Sequence, residues 1–523
     1  MLRSIRIALL AGYVVVSFWS FPQPVLGVVV DLGAGLAWFA PALLVLGLRG
    51  LAPRQAALWG FTAALVAHSA ILHWIYVVTV TYGHAAAIVG WVAPVFLAVY
   101  VALPTALFGG LLSWLSRRGL DGAFAVAALW MSLDQLRSWL FTGFPWASLG
   151  YAQHLNPAML GLASLIGVYG LSFVTALGGV ALAHLGLAIR EGLRPARQDI
   201  WALVCVVLLL VLGWGSFRAV DDVGLPRVRV AVAQGNIEQG VKWSPAWKDR
   251  TLSIYEGLTR QAAEAGAQIV VWPESAVPGG LEPYAQTGRR VADLARETGV
   301  SLVVGAVGLE YDRVGRVERF FDSAFVLDAA GRIQHRYDKS HLVPFGEYVP
   351  FRDLIGRFMS AVARGIATGD VSQGSGPRAL TVPLEVGPDA RVGLPVCFEL
   401  LFPALVRGFV ADGAQALFAM TNDAWYGRTG APYQFLAITA LRSAENRIWT
   451  ARAANTGVSA FIDARGRVRS QTRIFEPGLL LEDVPLRAGP RGGSLYTRHG
   501  GWITAAGWLT VSALLVVGLR RAR

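Results

Sequence analysis

Val392-Gly393-Leu394-Pro395-Val396-Cys397-Phe398-Glu399 reads as a short apolar strand running into a turn, and it ends on one of only two cysteines in 523 residues. A cysteine at the end of a buried strand holds a thiol at the mouth of a pocket. The other, Cys205, lies in the apolar run Ala202-Leu203-Val204-Cys205-Val206-Val207, which reads as a membrane segment. The two cannot meet in a disulfide, so Cys397 is either inert packing or a nucleophile. Buried cysteines mostly pack, but two further strand ends favour chemistry. Val271-Trp272-Pro273-Glu274-Ser275 sets Glu274 just past an apolar strand, where desolvation is expected to raise its pKa and make it a usable base. The segment Tyr337-Asp338-Lys339-Ser340-His341 carries one of only three lysines, the others being Lys242 and Lys248. A cysteine that attacks a carbonyl needs a base for its proton and a cation for the oxyanion, and glutamate and lysine supply them. Singly, each has a plainer reading: Glu274 as a helix N-terminal carboxylate, Lys339 as a surface charge, Cys397 as packing. Together, in this order and at strand ends, they fit chance badly.

The frame around them is a membrane protein's. The chain is 54% hydrophobic and 15% charged, against roughly 25% charged in soluble domains. Residues 1–219 hold five acidic side chains, Asp31, Asp121, Asp134, Glu191 and Asp199. Apolar runs near 6–22, 25–48, 55–77, 87–115, 122–142, 159–189, 200–218 and 501–519 predict about eight spanning helices, seven of them before a soluble block. The net charge of +12 could suggest nucleic acid, but arginines sit at alternate ends of these runs: Arg3 and Arg6, Arg49 and Arg54, Arg117 and Arg118, Arg190, Arg194 and Arg197, then Arg520, Arg521 and Arg523. The positive-inside rule then predicts cytoplasmic termini and an outward-facing soluble domain, periplasmic on a bacterial inner membrane. The first run shows no small-residue cleavage site and reads as a retained helix. From about Arg227 to Pro485, short apolar strands alternate with helical stretches, which predicts an α/β layered domain with functional groups at strand ends. The expected organisation is 1–219 membrane bundle, 220–495 catalytic domain and 496–523 final helix and tail.

The order Trp272-Pro273-Glu274, then Lys339, then a strand ending in Cys397-Phe398-Glu399 resembles the Glu-Lys-Cys arrangement of the nitrilase superfamily, whose fold is an α-β-β-α sandwich. Thr421-Asn422-Asp423-Ala424-Trp425-Tyr426-Gly427 is similar to a segment of the same superfamily. With the helices added, the chain resembles the apolipoprotein N-acyltransferase family along nearly its whole length. Supporting motifs are Gly235-Asn236-Ile237-Glu238-Gln239 with Trp243, Thr142-Gly143-Phe144-Pro145-Trp146, and His341-Leu342-Val343-Pro344-Phe345-Gly346-Glu347-Tyr348-Val349-Pro350. The resemblance implies Cys397 as acylated nucleophile, Glu274 as general base and acid, and Lys339 as oxyanion-stabilising cation. It implies supporting roles for Glu347 and Glu399, orienting Lys339 and the nucleophile loop, and for Trp243 near the site's mouth. Phe398 stands where the family often has tyrosine. The implied donor is a phospholipid, phosphatidylethanolamine, and the acceptor the α-amino group of a diacylglyceryl-cysteine at an apolipoprotein N-terminus. No cofactor, metal or nucleic acid is implied, and a monomer suffices.

Other readings compete. A membrane-anchored amidase would use the same three residues with water as acceptor, although an anchor needs one span, not many. A transporter or lipid-binding scaffold predicts loss of Glu274, Lys339 or Cys397, and all three are present. Phe351, Leu354, Ile355, Phe358 and Met359 recur at helical spacing and predict either a lid dipping into the interface or a packed helix. Asp134 and Arg137, three apart in an apolar run, read as a structural pair more readily than as a site. The eight histidines show no metal-ligand spacing.

Overall fold

The computed structural model describes residues 3–240, 242, 244–281, 285–348, 370–487 and 493–521. Trp243, Val349, Pro350 and the segment holding Phe351, Leu354, Ile355, Phe358 and Met359 lie outside the described residues. The chain forms two compact units. The first comprises Met1–Val220, Arg428–Glu445 and Ser494–Arg523; the second comprises Asp221–Gly427 and Asn446–Gly493.

The first unit is helical because its runs are apolar on every side, as expected of segments that meet apolar surroundings all round. Its helices are α1 (Arg3–Trp19), α2 (Gly33–Leu36), α3 (Phe39–Leu48), α4 (Pro53–Ile71), α5 (Ala87–Ser116), α6 (Ala123–Leu136), α7 (Pro157–Arg190) and α8 (Arg197–Arg218), with a last helix at Trp502–Arg520. Among the described residues, four helices are long and apolar enough to cross a membrane: α5, α7, α8 and Trp502–Arg520. The run at 25–48 is not one helix, contrary to expectation. Proline at positions 22 and 24 denies a helix its N–H donors, and the chain instead makes a small hairpin of β1 (Gln23–Val25) and β2 (Val28–Val30), leaving the ten-residue α3. Gly27 takes a positive φ of 83° at the turn.

Two polar devices hold this unit together. α7 is interrupted at Gly167 (φ 66°), which frees the Val168 N–H, and Glu445 Oε1 accepts it at 2.7 Å. A helix break thus keeps a satisfied donor through a carboxylate from the inserted helix Ala431–Asn446. Asp134 and Arg137 form a buried pair on α6, and both are further satisfied. Asp134 Oδ2 accepts the Leu149 N–H at 3.2 Å and the Ser172 hydroxyl at 2.6 Å, while Arg137 donates to Ser148 Oγ at 3.1 Å. The pair ties α6 to the loop before α7 and to α7 itself, which makes it structural.

The second unit contains two six-stranded mixed sheets. The first holds β3 (Arg227–Gln234), β4 (Ile269–Val271), β5 (Ser301–Tyr311), β6 (Val317–Leu327), β7 (Ile333–Asp338) and β14 (Gly478–Pro485), in the order β14-β3-β4-β5-β6-β7. The second holds β8 (Leu380–Val382), β9 (Ala390–Gly393), β10 (Ala416–Thr421), β11 (Trp449–Ala454), β12 (Ala460–Ile462) and β13 (Val468–Gln471), in the order β13-β12-β11-β10-β9-β8. At the centre of each sheet the strands are parallel: β3, β4 and β5 in one, β9, β10 and β11 in the other. Central strands β4, β10 and β11 are buried at every residue, which is why β4 and β10 read as continuous apolar runs instead of alternating. Helices Pro245–Glu264 and Gln286–Thr298 cover the first sheet through a core that includes Leu252, Tyr255, Trp272, Val291 and Leu294.

Removing one partner of the Asp134–Arg137 pair strands a buried charge. Arg137→Met is expected to destabilise the helical unit by roughly 3–5 kcal/mol, and the double variant Asp134→Asn/Arg137→Met by less than Arg137→Met alone. Thermal unfolding of wild type, Asp134→Asn, Arg137→Met and the double variant in one detergent measures this, and simple additivity would contradict the pairing.

Candidate active site

Three strand ends of the second unit converge. β4 stops at Val271, and the following loop is laid on β5 by Trp272 N–H to Val303 O at 2.8 Å and Val277 N–H to Gly305 O at 3.0 Å. Gly305 is required there, because a Cβ would strike the Pro273 carbonyl and the Glu274 backbone. This presents Glu274, which is 7% exposed. β7 stops at Asp338, and the Lys339 N–H donates to Asp322 O at 2.9 Å, so the lysine leaves the sheet beside β6. Past β9, Val396 bridges to Met420 of β10, and Cys397 follows at a φ of 46° as a 3-10 turn begins. Asn236, Ser275 and Phe345, in neighbouring loops, also have positive φ, at 53°, 50° and 64°. Such strain persists only where surrounding contacts over-determine it, and it gathers at working sites.

The centre is the Lys339 ammonium, fully buried. Nζ donates to Glu347 Oε1 at 2.5 Å, Glu274 Oε1 at 3.3 Å and Asp322 Oδ2 at 3.4 Å. These carboxylates have ligand-like spacing, with one oxygen of each within 4.8 Å of the others, but the ammonium takes the cation's place among them. Glu347 Oε2 accepts the Val343 N–H at 2.9 Å, so its own loop fixes it. Glu399, fully buried, joins two of the converging segments. Its Oε1 accepts from Ser340 N–H at 2.7 Å, the Tyr337 hydroxyl at 2.7 Å and the Ser340 hydroxyl at 2.8 Å, and Oε2 accepts the Val396 N–H at 2.8 Å. One carboxylate therefore pins both the turn after Lys339 and the residue before Cys397. Phe398 is buried, its ring 5.3 Å from Phe402 and 5.8 Å from His341.

The remaining motif residues brace this centre. The Thr421 hydroxyl donates to Asp423 Oδ1 at 2.7 Å, and Arg452 holds Asp423 Oδ2 at 2.8 Å. Asn422 donates to Gln239 at 2.8 Å, and Asn455 donates to Asn422 at 3.1 Å and to Ile237 O at 2.7 Å. The Gly235–Gln239 and Thr421–Asp423 motifs are thereby locked together.

Two residues went unnoticed in the sequence. Asp322 is an ionisable side chain in the apolar middle of β6, between Phe321 and Ser323, and that placement was its signal. Lys242 is 1% exposed and donates from Nζ to Glu274 O at 3.0 Å. Lysines are almost never fully buried without partners, yet two of this chain's three lysines are buried in one site.

The protonation states follow from these neighbours. Burial pushes the Cys397 thiol well above its ordinary value, reinforced by Glu274 and opposed by Lys339. Burial also pushes Glu274 up, but Lys339, the Asp322 hydrogen bond and Lys242 outweigh it, and the carboxyl ends below its ordinary value. The expected upward shift is thus reversed, because desolvation is met by two ammoniums. Asp322 goes the other way, pushed well up by burial and by Glu274. Burial lowers Lys339, but Glu347, Glu274 and Asp322 lift it well above normal. Lys242 is lowered to about 8 by burial, partly offset by Glu274 and Asp322. At rest the site holds a neutral thiol, an ionised Glu274 and a permanently charged Lys339: an acceptor and a cation poised for a proton that has yet to move.

Residues 229–488 match the carbon-nitrogen hydrolase family, so the second unit is a domain of that class. Residues 16–181 match the apolipoprotein N-acyltransferase N-terminal domain. Three curated proteins with the name apolipoprotein N-acyltransferase are similar along the chain. That of Geobacter metallireducens is 40% identical, covering 98% of this chain and 95% of its own. That of Pseudomonas syringae pv. tomato is 34% identical over 85% of each, and that of Azotobacter vinelandii 35% identical over 86% and 84%. Among solved structures, an amidase from Nesterenkonia sp. AN1 covers 54% of this chain at 23% identity and a TM-score of 0.39. The chain belongs to the apolipoprotein N-acyltransferase family.

A neutral resting thiol predicts that iodoacetamide labels Cys397 at a rate rising about tenfold per pH unit up to and beyond pH 9. Peptide mass spectrometry separates it from Cys205. A plateau near pH 7 would reveal a resting thiolate and contradict these states.

Proposed function

We propose that this enzyme moves an acyl chain from a phospholipid, phosphatidylethanolamine, to the α-amino group of a diacylglyceryl-cysteine at an apolipoprotein N-terminus, through a thioester on Cys397. The observation that carries the reading is the buried Lys339 ammonium, held by Glu347 and Glu274 and in electrostatic reach of Cys397, inside a chain with membrane-length apolar helices. As the Cys397 sulfur attacks the ester carbonyl, Glu274 takes the thiol proton, and Lys339 stabilises the charge that develops on oxygen. Glu274 returns that proton to the departing lysophospholipid oxygen, leaving the acyl group on sulfur. The acceptor amine then attacks the thioester, its proton passes through Glu274 to the cysteine sulfur, and an amide forms. Atoms balance in each half, and one site serves two lipidic substrates in turn.

Glu347 fixes the position of Lys339, Glu399 fixes the Cys397 turn and Phe398 supplies buried packing beside it, while the family resemblance gives Trp243 a supporting role. The domain arrangement is a bundle over 1–219, a catalytic domain over 220–495 from which residues 428–445 join the helical unit, and a terminal helix over 496–523, with α5, α7, α8 and Trp502–Arg520 among the spans. The arginine pattern supports cytoplasmic termini and a periplasmic domain on the inner membrane. Proteinase added to spheroplasts is then expected to cleave within 227–487 and to leave that region intact in inverted vesicles; the opposite sidedness would reverse the topology.

Intact mass spectrometry tests the chemistry. After incubation with phosphatidylethanolamine, wild type is expected to gain one acyl mass that hydroxylamine removes, and Cys397→Ala to gain none. A diacylglyceryl peptide should discharge the adduct and emerge acylated. Discharge to water at the same rate with and without the peptide would favour an amidase-like hydrolase instead, and absence of an adduct would remove the thioester.

A further inference from the structure

Asp322 sits on β6, register-paired with Val307 of β5, and its main-chain carbonyl holds the Lys339 N–H. Its carboxylate is one more than the cation needs. Lys339 is already held by Glu347 at 2.5 Å and by Glu274 at 3.3 Å, and Glu347 is completed by the Val343 N–H. Beside this surplus acid lies an oxygen that lacks a donor. Glu274 Oε1 takes the lysine, but Oε2 is buried and, among the described residues, no N–H or O–H reaches it. The Lys242 ammonium donates to the Glu274 main-chain carbonyl and makes no hydrogen bond to Oε2. One carboxylate oxygen each of Glu274, Asp322 and Glu347 lies within 4.8 Å of the others, and bare carboxylates at that spacing repel unless one of them carries a proton.

We infer that Asp322 carries a proton at neutral pH and donates it to Glu274 Oε2, making Asp322 a positioning residue for the base. The inference rests on Glu274 being that base. Asp322 stays neutral, because a third negative charge within 4.8 Å of the other two would exceed what the two ammoniums, Lys339 and Lys242, compensate. The O–H gives Glu274 a fixed orientation without neutralising it, so the base keeps its charge for the thiol proton. The pair titrates as a unit facing Lys339, Lys242, Glu347 and Cys397, and the burial and charge pattern pushes the Asp322 member upward. A deprotonated Asp322 would repel Glu274 and leave Oε2 bare.

Infrared spectroscopy of the whole enzyme, with aspartate carboxyl carbons labelled with carbon-13, reads the proton directly. A protonated-aspartate carbonyl band is expected at pH 7 in wild type and should vanish in Asp322→Asn. Single-turnover acylation is the second readout. Asp322→Asn, whose amide N–H can donate to Oε2, should stay within about threefold of wild type. Asp322→Ala should fall roughly 10- to 100-fold, the effect of losing one hydrogen bond to a charged group. Absence of the band in wild type at pH 7 would overturn the inference without any variant being needed. So would an Asp322→Asn as slow as Asp322→Ala, since a required negative charge cannot be replaced by an amide. The underlying reading fails separately: Glu274→Gln acylating as fast as wild type removes the base, whatever the band shows.

Discussion

The buried Lys339 ammonium organises the site of the second unit. Lys339 has no exposed surface, so its charge persists only because carboxylates from three separate segments converge on it: Glu274 past β4, Asp322 in β6 and Glu347 in the loop after β7. A lone ammonium buried this way would shed its proton. The sheet order β3-β4-β5-β6-β7 matters because it brings the ends of β4 and β7 and the middle of β6 to one place. Gly305 lets the Glu274 loop lie flat enough to reach it.

The same charge divides labour among acids that differ little as isolated side chains. Glu274, nearest to two ammoniums, is held ionised, while Asp322, facing two other carboxylates, is pushed towards its neutral form. Glu399 serves geometry, since its two oxygens reach the turn after Lys339 and the residue before Cys397. Cys397 is left neutral, because burial and Glu274 outweigh Lys339. A thiol activated only at the moment of attack exposes no standing thiolate to oxidants.

Much of this was legible in the chain. The residues Glu274, Lys339 and Cys397 were visible because chemistry at strand ends interrupts apolar runs, and the structure brings Glu274 and Lys339 into contact. The buried strands β4 and β10 were visible for the same reason. Other elements were hidden for identifiable reasons. β11 reads Trp449-Thr450-Ala451-Arg452-Ala453-Ala454, and its buried arginine disguises a central strand, because the partner Asp423 comes from β10's far end. The run at 25–48 looked like a helix by hydropathy alone, but proline chemistry at 22 and 24 decided otherwise. The direction of the Glu274 shift was misjudged since desolvation is local to the strand, whereas the ammoniums that reverse it come from residues 65 positions later and 32 earlier. The helix Ala431–Asn446 lies between two strands of the catalytic unit, yet all but its last residue belong to the helical unit, a membership that no local pattern encodes.

The central claim is that Lys339 receives the charge that develops on the substrate oxygen. A structure of the Cys397→Ala enzyme with phosphatidylethanolamine bound tests it most directly, because the ester remains intact there. The account predicts the ester carbonyl oxygen about 3 Å from Lys339 Nζ, with Glu274 turned towards the missing sulfur. A carbonyl oxygen pointing away from Lys339, towards other donors, would contradict it.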